Sequence, residues 1–303
     1  MKYPKSERGG ELTRNQKAVV YAILAALLYA ISAPVSKILL NEIKPTMLAA
    51  LLYLGAGIGL WIVQSVQMKI DPTRFASKRL TKKQSPAIVG MILLDILAPI
   101  LLMIGLNLTS AANASLLNNF EIVTTSMIAL FFFKEKISGK LWIAIFLVTV
   151  SSMILSVEDL SSFSFSLGSI FVLMACLCWG LENNLTRILS TKSPTQIVIV
   201  KGVGSGLGSL LIATILNDLT FNPTYLFLAL ILGFFAYGLS ILFYVLAQRD
   251  LGASTTSAFY AFSPFMGAAL SLMIFQETPS MTFIVALSIM LMGAYFAYQD
   301  KKN

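Results

Sequence analysis

Apolar stretches of about 20 residues follow one another along almost the whole chain, and the second half of the series repeats the first. A stretch of that length crosses ~30 Å of hydrocarbon as an α-helix, so the pattern restricts the chain to a bundle of membrane-spanning helices. We predict ten spans, at residues 18–40, 46–67, 86–107, 110–133, 140–157, 166–190, 194–217, 223–247, 253–275 and 280–298.

The composition supports this interpretation. Of the 303 residues, 57% are hydrophobic and only 12% are charged, which is far too apolar for a water-soluble protein of this length. The formal net charge of +8 does not predict a nucleic-acid partner, because lysine and arginine follow the predicted loops instead of forming one patch.

The basic residues predict the orientation of the bundle. If both termini are cytoplasmic, nearly all lysines and arginines lie on the inner side, as the positive-inside rule requires. The outer side then holds Lys37 and Lys44 among the bases, together with several acids. No cleaved signal is expected, because the first 16 residues are polar and the first apolar stretch is too long. We therefore predict a multi-pass protein of the cytoplasmic membrane with both termini inside.

The sharpest trace of the repeat pairs residues 109–135 with residues 251–277. Two copies of a five-span unit lie in the membrane in opposite orientations, which is the construction of many secondary transporters. The predicted fold is therefore all-α, with ten transmembrane helices as two inverted five-helix repeats. The expected divisions are a cytoplasmic tail at 1–17, a first repeat at 18–157, an extracytoplasmic linker at 158–165, a second repeat at 166–298 and a tail at 299–303.

Smaller features of the first and second spans repeat as well. Residues 29–37 align with 179–187, and a proline follows in both halves, Pro45 and Pro194. Glycines four apart share a helix face and let two backbones approach, so we assign the glycines of the second spans to helix packing. They align as Gly55, Gly57 and Gly59 with Gly202, Gly204 and Gly206.

Three motifs carry a resemblance to a known family. They are Leu177-Cys178-Trp179-Gly180, Ser110-Ala111-Ala112-Asn113-Ala114, and Asn119-Phe120-Glu121 followed by Lys134-Glu135. With them the chain resembles a ten-helix member of the drug/metabolite transporter superfamily built from two EamA domains. The resemblance covers about residues 18–298 and implies that architecture and a transport function. Ile122 stands where the family often has proline, and Tyr53 lies near a frequent arginine of its second helix.

Four charged residues lie inside the predicted spans away from their ends, where a charge costs roughly 2.5–3.5 kcal/mol on insertion scales. They are Asp95, Glu121, Glu182 and Lys201. The acids have no acidic counterpart in the other half, which favours an asymmetric functional site over a shared scaffold. Their repeat mates, in the same order, are Tyr237, Ser263 and Ser32. We predict proton coupling at Glu121, then Glu182 and Asp95. Merely protonated or hydrogen-bonded acids are the alternative.

Amide and aromatic side chains accompany these acids. Asn118 and Glu121 are three apart and share a helix face. Aromatic ring faces bind cations, with ordinary packing as the alternative. For Lys201 we favour snorkelling of the amine to the cytoplasmic surface over pairing with an acid. The predicted substrate-binding residues are Tyr29, Ser32, Asp95, Asn118, Asn119, Glu121, Trp179, Glu182, Asn183, Tyr237, Tyr244, Tyr260 and Ser263. We expect spans 1, 3, 4, 6, 8 and 9 to line their cavity.

Missing residues and motifs narrow the function. The chain has no histidine, no Walker A loop and no dinucleotide fingerprint, which argues against histidine-based catalysis and direct ATP-driven transport. Cys176 and Cys178 lie on opposite helix faces, so neither a disulfide nor a metal site is predicted. No cofactor is predicted, and the expected partners are a small-molecule substrate, the lipid bilayer and, in a coupled carrier, protons.

We therefore predict a secondary carrier, not an enzyme, for a small polar or amphipathic metabolite. The asymmetric acids favour an amine-bearing or zwitterionic substrate such as an amino acid. A membrane-embedded enzyme or lipid-processing protein, or a channel, remains the alternative.

Overall fold

Ten helical spans make up most of the computed structural model, which describes residues 14–70, 80, 82–134, 137–159, 164–189, 192–244, 246–247 and 259–300. In this part of the chain, eight helices are long and apolar enough to cross a membrane. Two shorter apolar helices, Ser263–Phe275 and Met281–Ala297, complete the ten predicted spans. The predicted fold class is confirmed, whereas the predicted start of the ninth span at 253 lies outside the described residues.

We number the spans in chain order. In the first half, span 1 is Arg14–Ala30 and Ser32–Leu39, span 2 is Pro45–Ile70, span 3 is Ser85–Leu108, span 4 is Ala111–Leu117 and Phe120–Phe133, and span 5 is Gly139–Ser156. In the second half, span 6 is Leu167–Leu189, span 7 is Pro194–Ile215, span 8 is Pro223–Leu232 continued by the π-helix Gly233–Leu239, span 9 is Ser263–Phe275 and span 10 is Met281–Asp300.

Short elements join these spans. A 3₁₀ turn, Lys82–Gln84, precedes span 3. Between spans 5 and 6 two short strands, Val157–Asp159 and Ser164–Phe165, pair antiparallel, which the sequence did not predict. Spans 4 and 9 end at equivalent left-handed residues, Lys134 with φ 53° and Gln276 with φ 51°. A left-handed residue of this kind terminates a helix and normally favours glycine.

Helix packing repeats between the halves. Three contacts join equivalent spans: span 2 packs on span 7, span 4 on span 9, and span 5 on span 10. Six further contacts form three mirrored pairs. The contact of span 3 with span 6 is mirrored by that of span 8 with span 1. The contact of span 4 with span 6 is mirrored by that of span 9 with span 1, and the contact of span 2 with span 8 by that of span 7 with span 3. This pattern is that of two inverted five-helix repeats.

Glycines fix the crossing of spans 2 and 7. A Cβ atom built on Gly57 would lie 2.5 Å from the backbone nitrogen of Val203, and one built on Gly202 would lie 2.5 Å from that of Gly57. The two backbones therefore touch, as expected for small residues at a helix interface in lipid.

The other glycines correct the sequence alignment of these spans. Gly55 and Gly59 of span 2 face span 8, and Gly204 and Gly208 of span 7 face span 3. The contacts are Gly55 with Leu230, Gly59 with Phe234, Gly204 with Ile92, and Gly208 with Ile96. Gly55 and Gly59 therefore correspond to Gly204 and Gly208, so the predicted alignment with 202–206 is wrong by two residues. The same contacts place Gly233, not Tyr237, at the position equivalent to Asp95. Asp95 therefore still has no acidic counterpart in the second half.

Candidate functional site

Helix interruptions at membrane depth surround one region of the bundle. Span 1 is interrupted at Ile31 and span 4 at 118–119, and a turn at 261–262 precedes span 9. The π-helix of span 8 lies in the same region, since its Tyr237 contacts span 1 through Ser32. Irregular backbone within a membrane is tolerated where protein or a water-filled cavity satisfies it, and broken helices are typical of transporter binding sites.

A small, partly open cavity of about 10 Å³, roughly the room for one water molecule, lies between the interrupted spans. Spans 1, 3, 4 and 9 line it, with Leu102 as the contribution of span 3. Its polar lining residues are Tyr29, Ser32, Ser115, Asn118 and Ser263. The buried hydroxyl of Ser115 has no hydrogen-bond partner among the described residues, so the cavity retains unused hydrogen-bonding capacity.

Five tyrosines from four parts of the chain form a continuous group beside the cavity. This tyrosine cluster consists of Tyr29, Tyr53, Tyr237, Tyr244 and Tyr260. The ring centroids of Tyr29 lie 5.5 Å from Tyr260 and 5.9 Å from Tyr237. Tyr53 lies 5.6 Å from Tyr237, and Tyr244 lies 5.1 Å from Tyr260. Such faces can stabilise a cation. Tyr237 also accepts a hydrogen bond of 3.0 Å from the Ser32 hydroxyl.

Glu121 carries a carboxylate near the tyrosine cluster. Asn183 Nδ2 of span 6 donates a 2.6 Å hydrogen bond to Glu121 Oε1, and the same amide lies 3.3 Å from Thr125 Oγ1. Within the part of the chain that the structure describes, no lysine or arginine lies within ion-pair distance of Glu121. Tyr29 and Tyr260 both lie within electrostatic range of this carboxyl. Glu121 is therefore held by an amide, and no cation of the described residues lies at ion-pair distance from it.

The other two acids share one base. Lys201 Nζ lies 3.1 Å from Asp95 Oδ2 and 3.0 Å from Glu182 Oε2. Asp95 is 0% exposed, Glu182 1% and Lys201 14%. We call these residues the ion-pair triad. The prediction that Lys201 snorkels to the surface is wrong, because spans 3 and 6 present both carboxylates to its amine.

Further donors complete the triad and connect it to the tyrosine cluster. The Tyr53 hydroxyl donates a 3.0 Å hydrogen bond to Asp95 Oδ1, and Trp179 Nε1 donates one of 3.4 Å to the Tyr53 oxygen. The Thr186 hydroxyl donates to Glu182 Oε1. Asp95 Oδ2 meets the Lys201 amine as an ion pair without accepting a hydrogen bond, and Tyr53 belongs to both groups.

Most of the predicted site residues come together here, and one does not. The Asn119 amide donates to Leu116 O and Met290 Sδ, at 3.1 and 3.2 Å, so it serves packing against span 10. Sequence reasoning missed Tyr53 and the pairing of Lys201. One feature of the sequence could have identified Tyr53: it lies near a position of the second helix where the family that the chain resembles often has an arginine.

Lys37 binds the backbone at the far end of span 3. Its amine donates to Leu106 O at 2.6 Å, Asn107 O at 3.1 Å and Thr109 O at 2.8 Å. These carbonyls lie at the C-terminal end of the helix, where a cation also opposes the helix dipole. Lys37 thereby ties the second part of span 1 to span 3.

Ten spans in two inverted repeats, with a cavity among interrupted helices, define a membrane transporter. The EamA-like transporter family model matches the chain twice, over residues 16–157 and 166–299. The chain therefore belongs to the EamA-like transporter family.

Known proteins resemble the chain over nearly its full length. An uncharacterized transporter of Methanothermobacter thermautotrophicus is 27% identical over 308 residues, covering 97% of this chain and 89% of that protein. A protein of known crystal structure aligns with a TM-score of 0.66 at 16% identity, covering 92% of this chain and 95% of that one. At this identity, the second likeness shows the fold alone.

Proposed function

We propose that this transporter is a secondary carrier for a small amine-bearing or zwitterionic metabolite, such as an amino acid, and that it works by alternating access. The observation that carries the proposal is Glu121, an acid with no lysine or arginine at ion-pair distance among the described residues, which lies one turn after Asn118 of the cavity lining.

The charges of the site favour a cationic group. Asp95, Glu121 and Glu182 supply three negative charges when ionised, and Lys201 supplies one positive charge, which leaves an excess of two. Unbalanced charge at membrane depth is costly. An ammonium group beside Glu121 reduces that excess, and the faces of Tyr29 and Tyr260 add a cation–π contribution of about 0.5–2 kcal/mol.

Hydrogen-bonding groups in the cavity suit the remainder of a polar solute. The Asn118 side chain and the unpartnered Ser115 hydroxyl line the cavity on span 4, one turn and two turns before Glu121. A substrate with an ammonium group at one end and an acceptor at the other can address both regions. A zwitterion has this arrangement.

The inverted repeats support alternating access, since one repeat can rock against the other around a site at their interface. From the positive-inside bias we propose that both termini and the 82–84 segment face the cytoplasm, and that the protein lies in the cytoplasmic membrane. We propose that the repeats extend over 18–157 and 166–298, with a linker between them.

A ligand screen tests the site. The purified protein is heated with each of the twenty amino acids, choline, putrescine and, as non-amine controls, succinate and glucose. A ligand that binds the folded state raises the unfolding temperature. We expect a shift with an amine or zwitterion, and a much weaker shift for Glu121→Gln. The matched control is Glu277→Gln, which changes an exposed acid just after the end of span 9. Equal shifts in wild type and Glu121→Gln would contradict the role of Glu121.

A further inference from the structure

We infer that the ion-pair triad is a proton-binding site distinct from the cavity, and that its proton is the coupling ion of the carrier, exchanged for the substrate's cationic group. The inference rests on the proposed function, because coupling requires a carrier.

The stoichiometry of the triad is the first argument. Two buried carboxylates share a single ammonium group, at 3.1 and 3.0 Å, so the triad carries one excess negative charge when both acids are ionised. Removing such a charge from water costs several kcal/mol even after the protein relaxes. One proton brings the triad to neutrality without any other cation.

The surroundings supply no second base among the described residues. From span 2 the triad meets the Tyr53 hydroxyl, to which Trp179 donates. From span 6 it meets the Thr186 hydroxyl, and Cys178 is within electrostatic range of Asp95. From span 4, Glu121 acts on Glu182 and Lys201 through space and adds further negative charge. The chain contains no histidine. The carboxylates are therefore the groups that take up the proton.

The proton step changes the contacts within the triad. Asp95 Oδ2 meets the Lys201 amine as an ion pair but accepts no hydrogen bond, so it has a lone pair open to a proton. An O–H bond forms on Asp95 or Glu182 with a proton from water. Lys201 keeps its own proton and remains with the other, ionised carboxylate. The charge of the triad changes from −1 to 0, and the attraction between Lys201 and the protonated acid weakens.

Tyr53 links this change to the substrate site. Its hydroxyl donates to Asp95 and its ring packs against Tyr237 at 5.6 Å, within the tyrosine cluster. Protonation also removes negative charge that attracts a cation. Proton binding and binding of a cationic group therefore oppose each other, which yields exchange of one for the other as access alternates.

Infrared difference spectroscopy tests the inference without a substrate, because the only ligand is the proton. Spectra of the purified protein at acidic and at alkaline pH are subtracted, and the carbonyl stretch of protonated carboxylic acids is followed. Asp95→Asn and Glu182→Gln each leave one acid opposite Lys201, a neutral pair that preserves folding. Glu121→Gln and Glu277→Gln are the matched controls.

We expect a pH-dependent carboxylic-acid band in wild type that is lost or shifted in Asp95→Asn or Glu182→Gln and is retained in both controls. A band retained in both triad variants, lost in Glu121→Gln, or missing from wild type would overturn the inference. Counterflow of a bound amine tests the carrier separately. A protein that shows counterflow without this band is a carrier whose coupling does not use the triad.

Discussion

Asn183 and Glu121 join span 6 to span 4 across the site, through a hydrogen bond of 2.6 Å from the amide Nδ2 to the carboxylate Oε1. A hydrogen bond to an ionised group is stronger than one between neutral groups and fixes the direction of the acceptor. The amide therefore fixes the direction of the Glu121 carboxylate between spans 4 and 6.

Replacing Asn183 by Leu removes this donor while preserving side-chain size. Hydrogen bonds to charged groups contribute about 1.5–3 kcal/mol, so we expect an increase in KM for the transported amine on the order of 10-fold or more. The measurement is initial uptake by proteoliposomes as a function of concentration. An unchanged KM would show that Asn183 does not position the acid.

The triad makes a different prediction for stability. Lys201→Met leaves Asp95 and Glu182 buried without a base, and breaking a buried pair in this way costs about 3–5 kcal/mol. We expect a strong decrease in the unfolding temperature in detergent. The triple variant with Asp95→Asn and Glu182→Gln removes the unbalanced charges and should recover most of the loss. A single variant as stable as wild type would contradict the buried ion pairs.

The crossing of spans 2 and 7 can be tested with one methyl group. Gly202→Ala places a Cβ 2.5 Å from the Gly57 nitrogen, so the backbones must separate. Overpacking typically costs about 1–3 kcal/mol. Gly139→Ala is the matched control, because a Cβ there meets nothing within 4 Å. We expect a lower unfolding temperature for the first variant alone. Equal temperatures for the two variants would be inconsistent with backbone contact at this crossing.

The proposed orientation predicts which loops an impermeant thiol reagent reaches in intact cells. In a background with Cys176 and Cys178 replaced by Ala, a cysteine at exposed Asn217 should be labelled directly. A cysteine at exposed Lys82 should be labelled only after permeabilisation. The reverse pattern would invert the orientation.

Apolar length and the repeat were sufficient to predict the ten spans, because both follow from the thickness of the membrane. The register between the halves was not predicted correctly. Glycines recur every second residue at 55–59 and at 202–208, so the sequence permits more than one alignment. Only the neighbours of each glycine, such as Leu230 beside Gly55 and Ile92 beside Gly204, select the right one.

The sequence explains some of the helix interruptions and not others. Pro34 lies three residues after Ile31, and Pro264 follows the turn at 261–262, so the missing backbone N–H of each proline accounts for a break. Span 4 is interrupted at 118–119 without such a proline, since Ile122 stands where the family often has one. The pairing of Lys201 depended on the rotation of span 7 against spans 3 and 6, which hydrophobic periodicity leaves open because nearly every face of these helices is apolar.

Counterflow in proteoliposomes tests the central claim most directly. Vesicles containing the wild-type protein are loaded with an unlabelled amine identified in the ligand screen and diluted into a trace of the labelled compound. An alternating-access carrier exchanges the two, so the account predicts a transient accumulation of label that saturates with concentration and is strongly reduced in Glu121→Gln. A flux that neither accumulates nor saturates would indicate a channel and would contradict the account.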